Sequence, residues 1–284
     1  MKQIVVISGK GGTGKTTLVA SLAALAKNRA LIADCDVDAP DLHLILKKHV
    51  REARDFFGLP LARIDKSLCT DCGECVDSCP SDAISEGEVD PLLCSGCGVC
   101  RLVCPAGAIE MVKRLSGYAY ISDTEYGPLI DASLFPGEET SGKLVSMVRE
   151  MAREEAEALR LDLILIDGSP GIGCPVIASL TGVDLALVVT EPTISGAHDL
   201  ERILSVADHF GVKSLVCINK YDLNLDMAER IEDICGEGRI AGRIPFDPAA
   251  VASIIAGKPL VDVGGPAAEA IKGIWERLKE EGFA

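Results

Sequence analysis

Twelve cysteines are unevenly spread along this chain of 284 residues. Eight of them form two copies of the spacing C-x2-C-x2-C-x3-C followed by proline, at Cys69, Cys72, Cys75 and Cys79 and again at Cys94, Cys97, Cys100 and Cys104. Thiolates at this spacing are ligands for soft metals and for iron–sulfur clusters. The two copies start 25 residues apart, and residues 69–84 match residues 94–109 along their length, which indicates a duplicated small unit.

The double spacing predicts two [4Fe–4S] clusters, as in bacterial two-cluster ferredoxins. In such an arrangement three cysteines of one copy hold one cubane, and the fourth cysteine holds the other cubane. We therefore expect cluster I on Cys69, Cys72, Cys75 and Cys104, and cluster II on Cys94, Cys97, Cys100 and Cys79. A pair of zinc sites is the alternative, because CxxC pairs also bind zinc. The third cysteine spacing and the Cys-Pro ends favour clusters. Outside the repeats, Cys35, Cys217 and Cys235 lie in apolar surroundings and are predicted to be buried packing residues.

A glycine-rich motif near the N-terminus could bind phosphate. Residues 9–16, GKGGTGKT, match G-x-x-x-x-G-K-[ST] and lie between a predicted strand at 3–8 and a predicted helix. Glycines let several backbone N–H groups point at one phosphate, and the helix N-terminus adds its positive dipole. We predict that Lys15 bridges the β- and γ-phosphates and that Thr16 holds Mg²⁺. The predicted nucleotide-binding residues of this loop are Gly11, Gly12, Thr13, Gly14, Lys15, Thr16 and Thr17.

The elements that must position these motifs show an alternating α/β pattern. Buried parallel strands are predicted from the apolar runs at 3–8, 30–34, 161–167, 183–191 and 212–219, with a last strand at 239–245. A helix is predicted at 141–160, and short strands are predicted within 118–134. We expect a doubly wound parallel sheet in residues 1–61 and 114–284. An inserted α+β two-cluster ferredoxin domain at 62–113 is expected to interrupt it between its second and third strands.

Composition restricts the class of protein. The net charge of −15 argues against non-specific binding to DNA or to an anionic membrane, since both need a basic surface. No apolar run approaches the roughly 18 residues that span a bilayer, and the N-terminus has no signal-peptide pattern. We expect a cytoplasmic protein without nucleic-acid binding or membrane insertion, in which cysteines serve as metal ligands before disulfides.

The phosphate loop also carries a second lysine, Lys10, directly after its first glycine. GKGGTGKTT thereby resembles the deviant Walker A signature of the MinD/ParA/Mrp group of P-loop ATPases, which includes the nitrogenase iron protein. The resemblance implies that Lys10 reaches across a dimer to the partner's nucleotide. DCDVDAPD (34–41) resembles switch I. That match implies that Asp36 orients the attacking water and that Asp34 or Asp38 lies near Mg²⁺. Asp38 and Asp41 could equally be solubilising charges at a strand end. The predicted catalytic residues are Lys10, Lys15 and Asp36.

Two later segments extend the resemblance. LILIDGSPGIG (163–173) resembles Walker B running into switch II. A carboxylate at the end of a buried strand is costly unless it serves an ion, so Asp167 is a predicted Mg²⁺-linked residue. Gly171 is predicted to approach the γ-phosphate through its N–H. The segment 244–261 resembles the part that closes over the base in these ATPases, which implies that Pro245 and Phe246 contact the nucleotide. Cys174, seven residues after Asp167, resembles a cysteine that holds a shared cluster in the nitrogenase iron protein. Packing or loop structure is its alternative role.

The bound base is predicted from Asn219-Lys220-Tyr221-Asp222, which reads N-K-x-D. This is also the guanine signature of GTPases, in which the aspartate accepts hydrogen bonds that adenine cannot offer. In the MinD-like family the asparagine suffices and ATP is the substrate. We expect Asn219 and Asp222 at the base, with ATP favoured and GTP as the alternative.

These features predict an ATPase with Mg²⁺ and two [4Fe–4S] clusters as cofactors. The first hypothesis is that nucleotide-dependent dimerisation, as a homodimer or with a related ATPase, is coupled to electron transfer from the clusters to a partner redox protein. The second is an ATP-dependent carrier or assembly factor for metallocofactors, as Mrp-like relatives imply. A positioning switch of the ParA or MinD kind ranks last, because the basic DNA-binding surface and the membrane helix that it requires are not evident in the sequence.

Overall fold

The computed structural model describes residues 1–138, 141–236 and 238–284. The chain divides into two compact units, and the first consists of Met1–Arg54, Ala119–Ser133 and Ser141–Ala284. The second unit consists of Asp55–Tyr118 and Leu134–Thr140. The predicted insert at 62–113 lies inside the second unit, which continues on both sides of it.

Each part of the chain has its own set of elements. The first part carries β1 (Lys2–Ser8), α1 (Lys15–Ala26), β2 (Ala30–Asp34), α2 (Leu42–Leu46) and β3 (His49–Phe57). The middle part carries β4 (Leu61–Ile64), α3 (Glu74–Asp77), β5 (Ile84–Ser85), β6 (Glu88–Val89), α4 (Val99–Val103) and β7 (Ile109–Val112). The last part carries β8 (Leu115–Thr124), β9 (Gly127–Leu134), α5 (Ser141–Leu159), β10 (Leu163–Pro170), α6 (Cys174–Leu180), β11 (Leu185–Thr190), α7 (Ile194–His209), β12 (Lys213–Asn219), a short 3-10 helix (Tyr221–Leu223), α8 (Leu225–Cys235), β13 (Ile240–Ile244), α9 (Ala249–Ala256), α10 (Leu260–Val263) and α11 (Pro266–Glu280).

Within the described residues, nine strands form one sheet in the order β13-β12-β11-β1-β10-β2-β9-β8-β3. The seven strands from β13 to β9 pair in parallel. The central ones are buried along nearly their whole length, because their runs of Ile, Val, Leu and Ala are covered by helices. The predicted parallel α/β architecture is confirmed for this unit.

The structure corrects the expected point of interruption. Between β2 and β10 the chain adds α2 and β3 before residues 62–113, and β8 and β9 after them, with β9 pairing in parallel with β2. No strand is predicted from the sequence at 49–57, because HVREARDFF has four charged residues among nine and no apolar alternation. In the structure only Phe56 of this strand is buried. Such a strand is stable at the edge of a sheet, where its polar side chains face water.

Strand order sets the position of the phosphate site. β1 lies between β10 and β11, and the chain runs from β1 to β2 on the far side of β10. In open α/β sheets, ligands bind beyond the carboxyl ends of the strands at such a switch point. Ser8, Asp34 and Asp167 lie at or near these ends of β1, β2 and β10.

The second unit is built from much smaller pieces. β4 pairs with β7 and β5 pairs with β6, each pair antiparallel, and α3 and α4 have four and five residues. Its described hydrophobic cluster has four buried members, Ala62, Ile84, Cys100 and Ile109.

Among all the residues that the structure describes, no helix is both long and apolar enough to cross a membrane.

Candidate functional site

The phosphate loop joins the end of β1 to the start of α1. Gly12 and Gly14 have φ values of +78° and +93°, which glycine adopts without a Cβ clash. A Cβ on Gly14 would lie 2.5 Å from Nδ2 of Asn219. That amide donates a hydrogen bond to the Thr13 carbonyl at 2.7 Å. Asn219 therefore braces the loop, and only glycine fits at position 14.

Two aspartates meet beneath this loop. Asp34 and Asp167 are register neighbours on β2 and β10, and each is 1% exposed. Asp34 accepts backbone hydrogen bonds from Asp36 (3.1 Å) and Leu42 (3.3 Å). Neither carboxylate oxygen of Asp167 has a hydrogen-bond partner among the described residues.

Burial governs the protonation of this pair. Desolvation raises the pKa of Asp167 to about 6, against the lowering effect of Lys15 and a smaller one of the Thr16 hydroxyl. Desolvation, followed by repulsion from Asp167, raises the pKa of Asp34 well above its ordinary value. Two buried carboxylates, one of them unpartnered, suit a hard divalent cation that prefers oxygen ligands. Asp34, Asp167 and the Thr16 hydroxyl are therefore the residues that could hold Mg²⁺.

The predicted switch I residues follow β2. Lys15, at the start of α1, is 5% exposed, and its Nζ lies 3.8 Å from Oδ2 of Asp36. Burial raises the pKa of Asp36, Lys15 lowers it, and Asp38 and Asp41 raise it further. Asp38 itself is exposed on the loop after β2. Asp34 is thus the better placed of the two predicted Mg²⁺ aspartates.

Lys10 has an acidic partner that the sequence reasoning missed. Its Nζ lies 3.2 Å from Oε2 of Glu191, whose other oxygen accepts a hydrogen bond from Nζ of Lys220 at 2.6 Å. Burial acts to raise the pKa of Glu191, but Lys220 and Lys10 outweigh it and lower the pKa. A signal was available, because Glu191 directly follows the buried β11 at the same sheet edge as the loop.

The predicted switch II begins within β10. Gly171 has a φ of +94°, and its N–H donates to the Ser8 carbonyl at 2.8 Å. The predicted contact between this N–H and a γ-phosphate therefore requires that hydrogen bond to break. Ser169 donates to the Cys35 carbonyl at 2.7 Å, which ties β10 to the residue after β2. Among the remaining loop residues, Gly11 is exposed and Thr17 lies within α1, where its carbonyl accepts a hydrogen bond from Ser21.

The predicted base-binding residues lie beyond β12 and β13. Asp222 is in the 3-10 helix, and its Oδ1 accepts a hydrogen bond from the Phe246 backbone N–H at 2.7 Å. Phe246, next to Pro245, has an exposed ring (53%). Asn219 uses its amide nitrogen on the loop and its Oδ1 on the Lys220 N–H. The side chains of Asn219 and Asp222 thus both form hydrogen bonds within the protein.

The cysteines of the second unit line two separate pockets. The thiols of the first pocket are Cys69, Cys72, Cys75 and Cys104. The thiols of the second pocket are Cys79, Cys94, Cys97 and Cys100. The fourth cysteine of each repeat therefore lies in the pocket of the other repeat, and each pocket receives four thiols.

Local backbone geometry is repeated between the two pockets. The helices α3 and α4 each follow a left-handed glycine, Gly73 and Gly98. Backbone N–H groups of Ala83 and Ala108 donate to the thiols of Cys79 (3.3 Å) and Cys104 (3.4 Å). No group of three or more His, Cys, Asp or Glu side chains in the described chain is arranged to hold a single metal ion. Four cysteines around one pocket suit a multi-iron cluster.

The other four cysteines fall into two groups. Cys35, Cys217 and Cys235 are buried, which confirms the prediction of packing residues. Cys174 is exposed at the start of α6, and a Cβ on Gly142 would lie 3.3 Å from its Cβ. Cys174 is therefore packed closely on one side, beside the start of α5.

Comparisons with known proteins agree with this geometry. Residues 4–260 match the family model described as the CobQ/CobB/MinD/ParA nucleotide binding domain. The chain is 38% identical to an uncharacterized protein of Methanocaldococcus jannaschii over 281 residues, which are 98% of this chain and 96% of that protein. It is 23% identical over 301 residues to the iron-sulfur cluster carrier protein of the same organism, covering 98% of this chain and 84% of the carrier.

A solved structure shows the same fold. The septum site-determining protein MinD of Pyrococcus horikoshii, complexed with Mg-ADP, superposes with a TM-score of 0.63 at 19% identity. The superposition covers 99% of this chain and 97% of that one. The family match, the parallel sheet and the glycine-rich loop between β1 and α1 together show that this chain belongs to the CobQ/CobB/MinD/ParA family of nucleotide-binding domains.

Proposed function

We propose that the first unit binds and hydrolyses ATP with Mg²⁺. Support comes from the loop at 9–16, from buried Lys15 and from the paired carboxylates of Asp34 and Asp167. Lys15 neutralises phosphate charge, and Asp36, next to it, orients the attacking water. Mg²⁺, when bound, neutralises the charge that develops on the phosphate oxygens. ATP is the proposed substrate, because Asp222 is already engaged by the backbone of Phe246.

The second unit, in this proposal, holds two [4Fe–4S] clusters. The observation that carries it is the division of eight cysteines into two pockets of four, with the fourth cysteine of each repeat in the other pocket. Zinc requires four ligands that converge on one ion, and the described side chains form no such group. A cubane carries its irons at four separate corners, so its thiolates lie further apart than those around a single ion.

Joined in one chain, the two units point to an ATPase that controls electron transfer. ATP binding brings two copies, or this chain and a related ATPase, together through Lys10. The clusters then pass electrons to a partner redox protein. Lys10 is available for such a role, because its bond to Glu191 is partly exposed and exchangeable. Eight protein thiolates hold the clusters permanently, which favours electron transfer over delivery.

A second candidate function is a carrier or assembly factor for iron–sulfur or other metallocofactors. The specific observation in its favour is the 23% identity to an iron-sulfur cluster carrier protein along nearly the whole chain. In this case at least one cluster would be labile and would leave the protein when ATP is hydrolysed.

Metal analysis tests the cluster proposal. Anaerobically purified protein is expected to contain about eight iron and about eight acid-labile sulfide per chain, from two cubanes. Tightly bound zinc without sulfide would contradict the proposal. Incubation with an apo-ferredoxin acceptor then separates the two functions. Retention of all iron during ATP turnover supports electron transfer, whereas loss of about four iron to the acceptor supports the carrier.

A further inference from the structure

The two repeats of the second unit share backbone features around their cysteines and differ in charge. With a 25-residue offset, acidic side chains of the first repeat are replaced by uncharged residues in the second, in the pairs Asp71/Gly96, Glu74/Val99 and Asp77/Leu102. At another pair the second repeat gains a cation, because Arg101 stands where the first repeat has Val76. The duplicated unit therefore provides its own internal comparison.

Carboxylates line the first pocket. Asp71 and Glu86 are both on its wall, beside Cys69 and Cys72. Oδ1 of Asp71 accepts a hydrogen bond from the Cys69 thiol at 3.6 Å, so negative charge lies directly against a ligand sulfur. The nearby Lys66 is paired instead with Glu88 at 2.6 Å. The charge on the wall of this pocket is thus negative.

The wall of the second pocket is uncharged, and two arginines lie next to its cysteines, one through a hydrogen bond and one in the chain. No charged residue is among its lining residues, all of which are described. Arg114 donates to the carbonyls of Pro91 (2.8 Å) and Cys94 (3.5 Å), which places its guanidinium beside a ligand residue. Arg101 follows Cys100 directly in α4. The Ser81 hydroxyl lies 3.7 Å from the thiol of Cys79.

Two features act against this difference and are smaller. Arg114 is also paired with Glu138 at 3.1 Å, which offsets part of its charge. Asp82 acts on Cys79, but it does not line the second pocket, whereas Asp71 and Glu86 line the first. One backbone N–H donor to sulfur recurs in both pockets, from Ala83 and from Ala108. Further backbone donors act on Cys79, from Ser81, and on Cys100, from Arg101, and they favour the reduced cluster in the same pocket as the charges do.

We propose that these charges make the two cluster sites unequal electron acceptors, with the higher reduction potential at the second pocket. The inference rests on the proposed cluster content. Nearby negative charge disfavours an added electron, and nearby cations favour it. One electron accepted from a low-potential one-electron donor, which is itself oxidised by one electron, is then held at the second pocket. Asp71, Glu86 and Arg101 are the residues that set this order.

A redox titration of the full-length holoprotein tests the order. Anaerobic protein is titrated with dithionite and followed by EPR, and two one-electron waves are expected. The second pocket should hold the first electron with at least a tenfold preference, which corresponds to about 59 mV. Asp71→Asn combined with Glu86→Gln should raise the lower wave and leave the upper wave in place. Asp77→Asn is the control. It also removes a negative charge, but Asp77 lies in α3 and lines neither pocket, so this variant should shift both waves little.

A second variant keeps the test independent of the first. Arg101→Val gives the second repeat the residue of the first, and should lower the upper wave only. Iron and sulfide are measured on the same samples. Full cluster content with coincident waves, or with an upper wave that rises in the Asp71/Glu86 variant, overturns the inference and leaves the cluster proposal intact. Absence of iron and sulfide overturns the cluster proposal itself.

Discussion

The two units hold their candidate sites in opposite ways. In the first unit Asp34, Asp167 and Lys15 are 1%, 1% and 5% exposed, and a nine-stranded sheet fixes them. In the second unit Cys72 and Cys97 are exposed on loops between strands of two to four residues. The first site is built by the core around it, whereas the second is a set of cysteines on a scaffold with little core. In the proposed cluster-bound protein, the second site therefore depends on its cofactor for structure and the first does not.

The physical reason is size. Four buried residues in the described cluster of the second unit remove too little apolar surface from water to offset the ordering of about seventy residues. Metal binding supplies the missing free energy in small domains of this kind. The first unit buries long apolar strands and helices, so we expect it to fold without a ligand.

The largest expected effect follows directly from this comparison. Anaerobic removal of iron with a chelator should unfold the second unit and leave the first folded. Hydrogen exchange should show loss of protection throughout 61–112 and unchanged protection in β1, β10 and β11. The single tryptophan, Trp275, is buried in α11 of the first unit, so its fluorescence should stay constant. Equal loss of protection in both units would contradict the claim that only the second unit depends on its cofactor for structure.

The sequence predicts the parallel strands of the sheet and the motifs that follow them. Apolar runs revealed the parallel strands, and motif spacing revealed the loop at 9–16 and the cysteine repeats, because glycine and cysteine are required there by geometry and ligand chemistry. Strand β3 is not predictable from its sequence, because a strand at the edge of a sheet can be polar and need not show a run of apolar residues. The ion pairs of Glu191 are not predictable either, because Lys10 and Lys220 are distant from it in the sequence and come next to it only in the folded protein.

The second effect in size concerns the phosphate loop. Lys15→Ala should abolish ATP binding, because the phosphates lose their main positive charge. Asp36→Ala should keep binding and slow hydrolysis strongly. Calorimetry and phosphate release measure the two effects. Lys272→Ala, which removes a lysine from the exposed face of α11, is the control and should change neither. Normal turnover of Asp36→Ala would contradict the assignment of switch I.

Dimerisation should show the next largest effect. Light scattering of the Asp36→Ala protein is expected to show dimers with ATP and monomers with ADP. Adding Lys10→Ala should remove the dimers while ATP binding persists, because Lys10 is predicted to contact only the partner's nucleotide. Lys220→Ala, which removes the other lysine on Glu191, is the matched control and should leave the dimers in place. Dimers that form without Lys10 would overturn its role.

A smaller effect should come from the unpartnered carboxylate of the first unit. Asp167 has a pKa of about 6 when folded, against 3.8 in the ordinary state. Between about pH 4 and 6 the unfolded chain releases a proton that the folded chain keeps. The apoprotein should therefore lose stability as pH rises through this window, by on the order of 3 kcal/mol.

The matched variant separates this titration from the other carboxylates. Asp167→Asn removes the ionisation at this site, so its unfolding free energy, followed by Trp275 fluorescence, should fall less between pH 4.5 and 7. Magnesium needs the charged carboxylate, so Mg²⁺-dependent ATP binding in the wild type should strengthen over the same window and be lost in the variant. Identical pH profiles for the two proteins would show that Asp167 is ionised throughout.

The smallest effect is expected at Asp222. In the first unit even a residue of a base-recognition motif is engaged by the protein, since Asp222 accepts the Phe246 N–H. Asp222→Ala should therefore cost about 1 kcal/mol or less in ATP affinity, through loosening of the segment at Pro245 and Phe246.

Asp222→Asn is the sharper test. Its Oδ1 can still accept the Phe246 N–H, so ATP affinity should equal that of the wild type. A guanine site would respond differently, because an amide cannot accept both guanine donors as a carboxylate does. Strong loss of GTP binding in Asp222→Asn, with GTP outcompeting ATP in the wild type, would show that Asp222 serves the ligand and that this part of the first site is completed by the nucleotide.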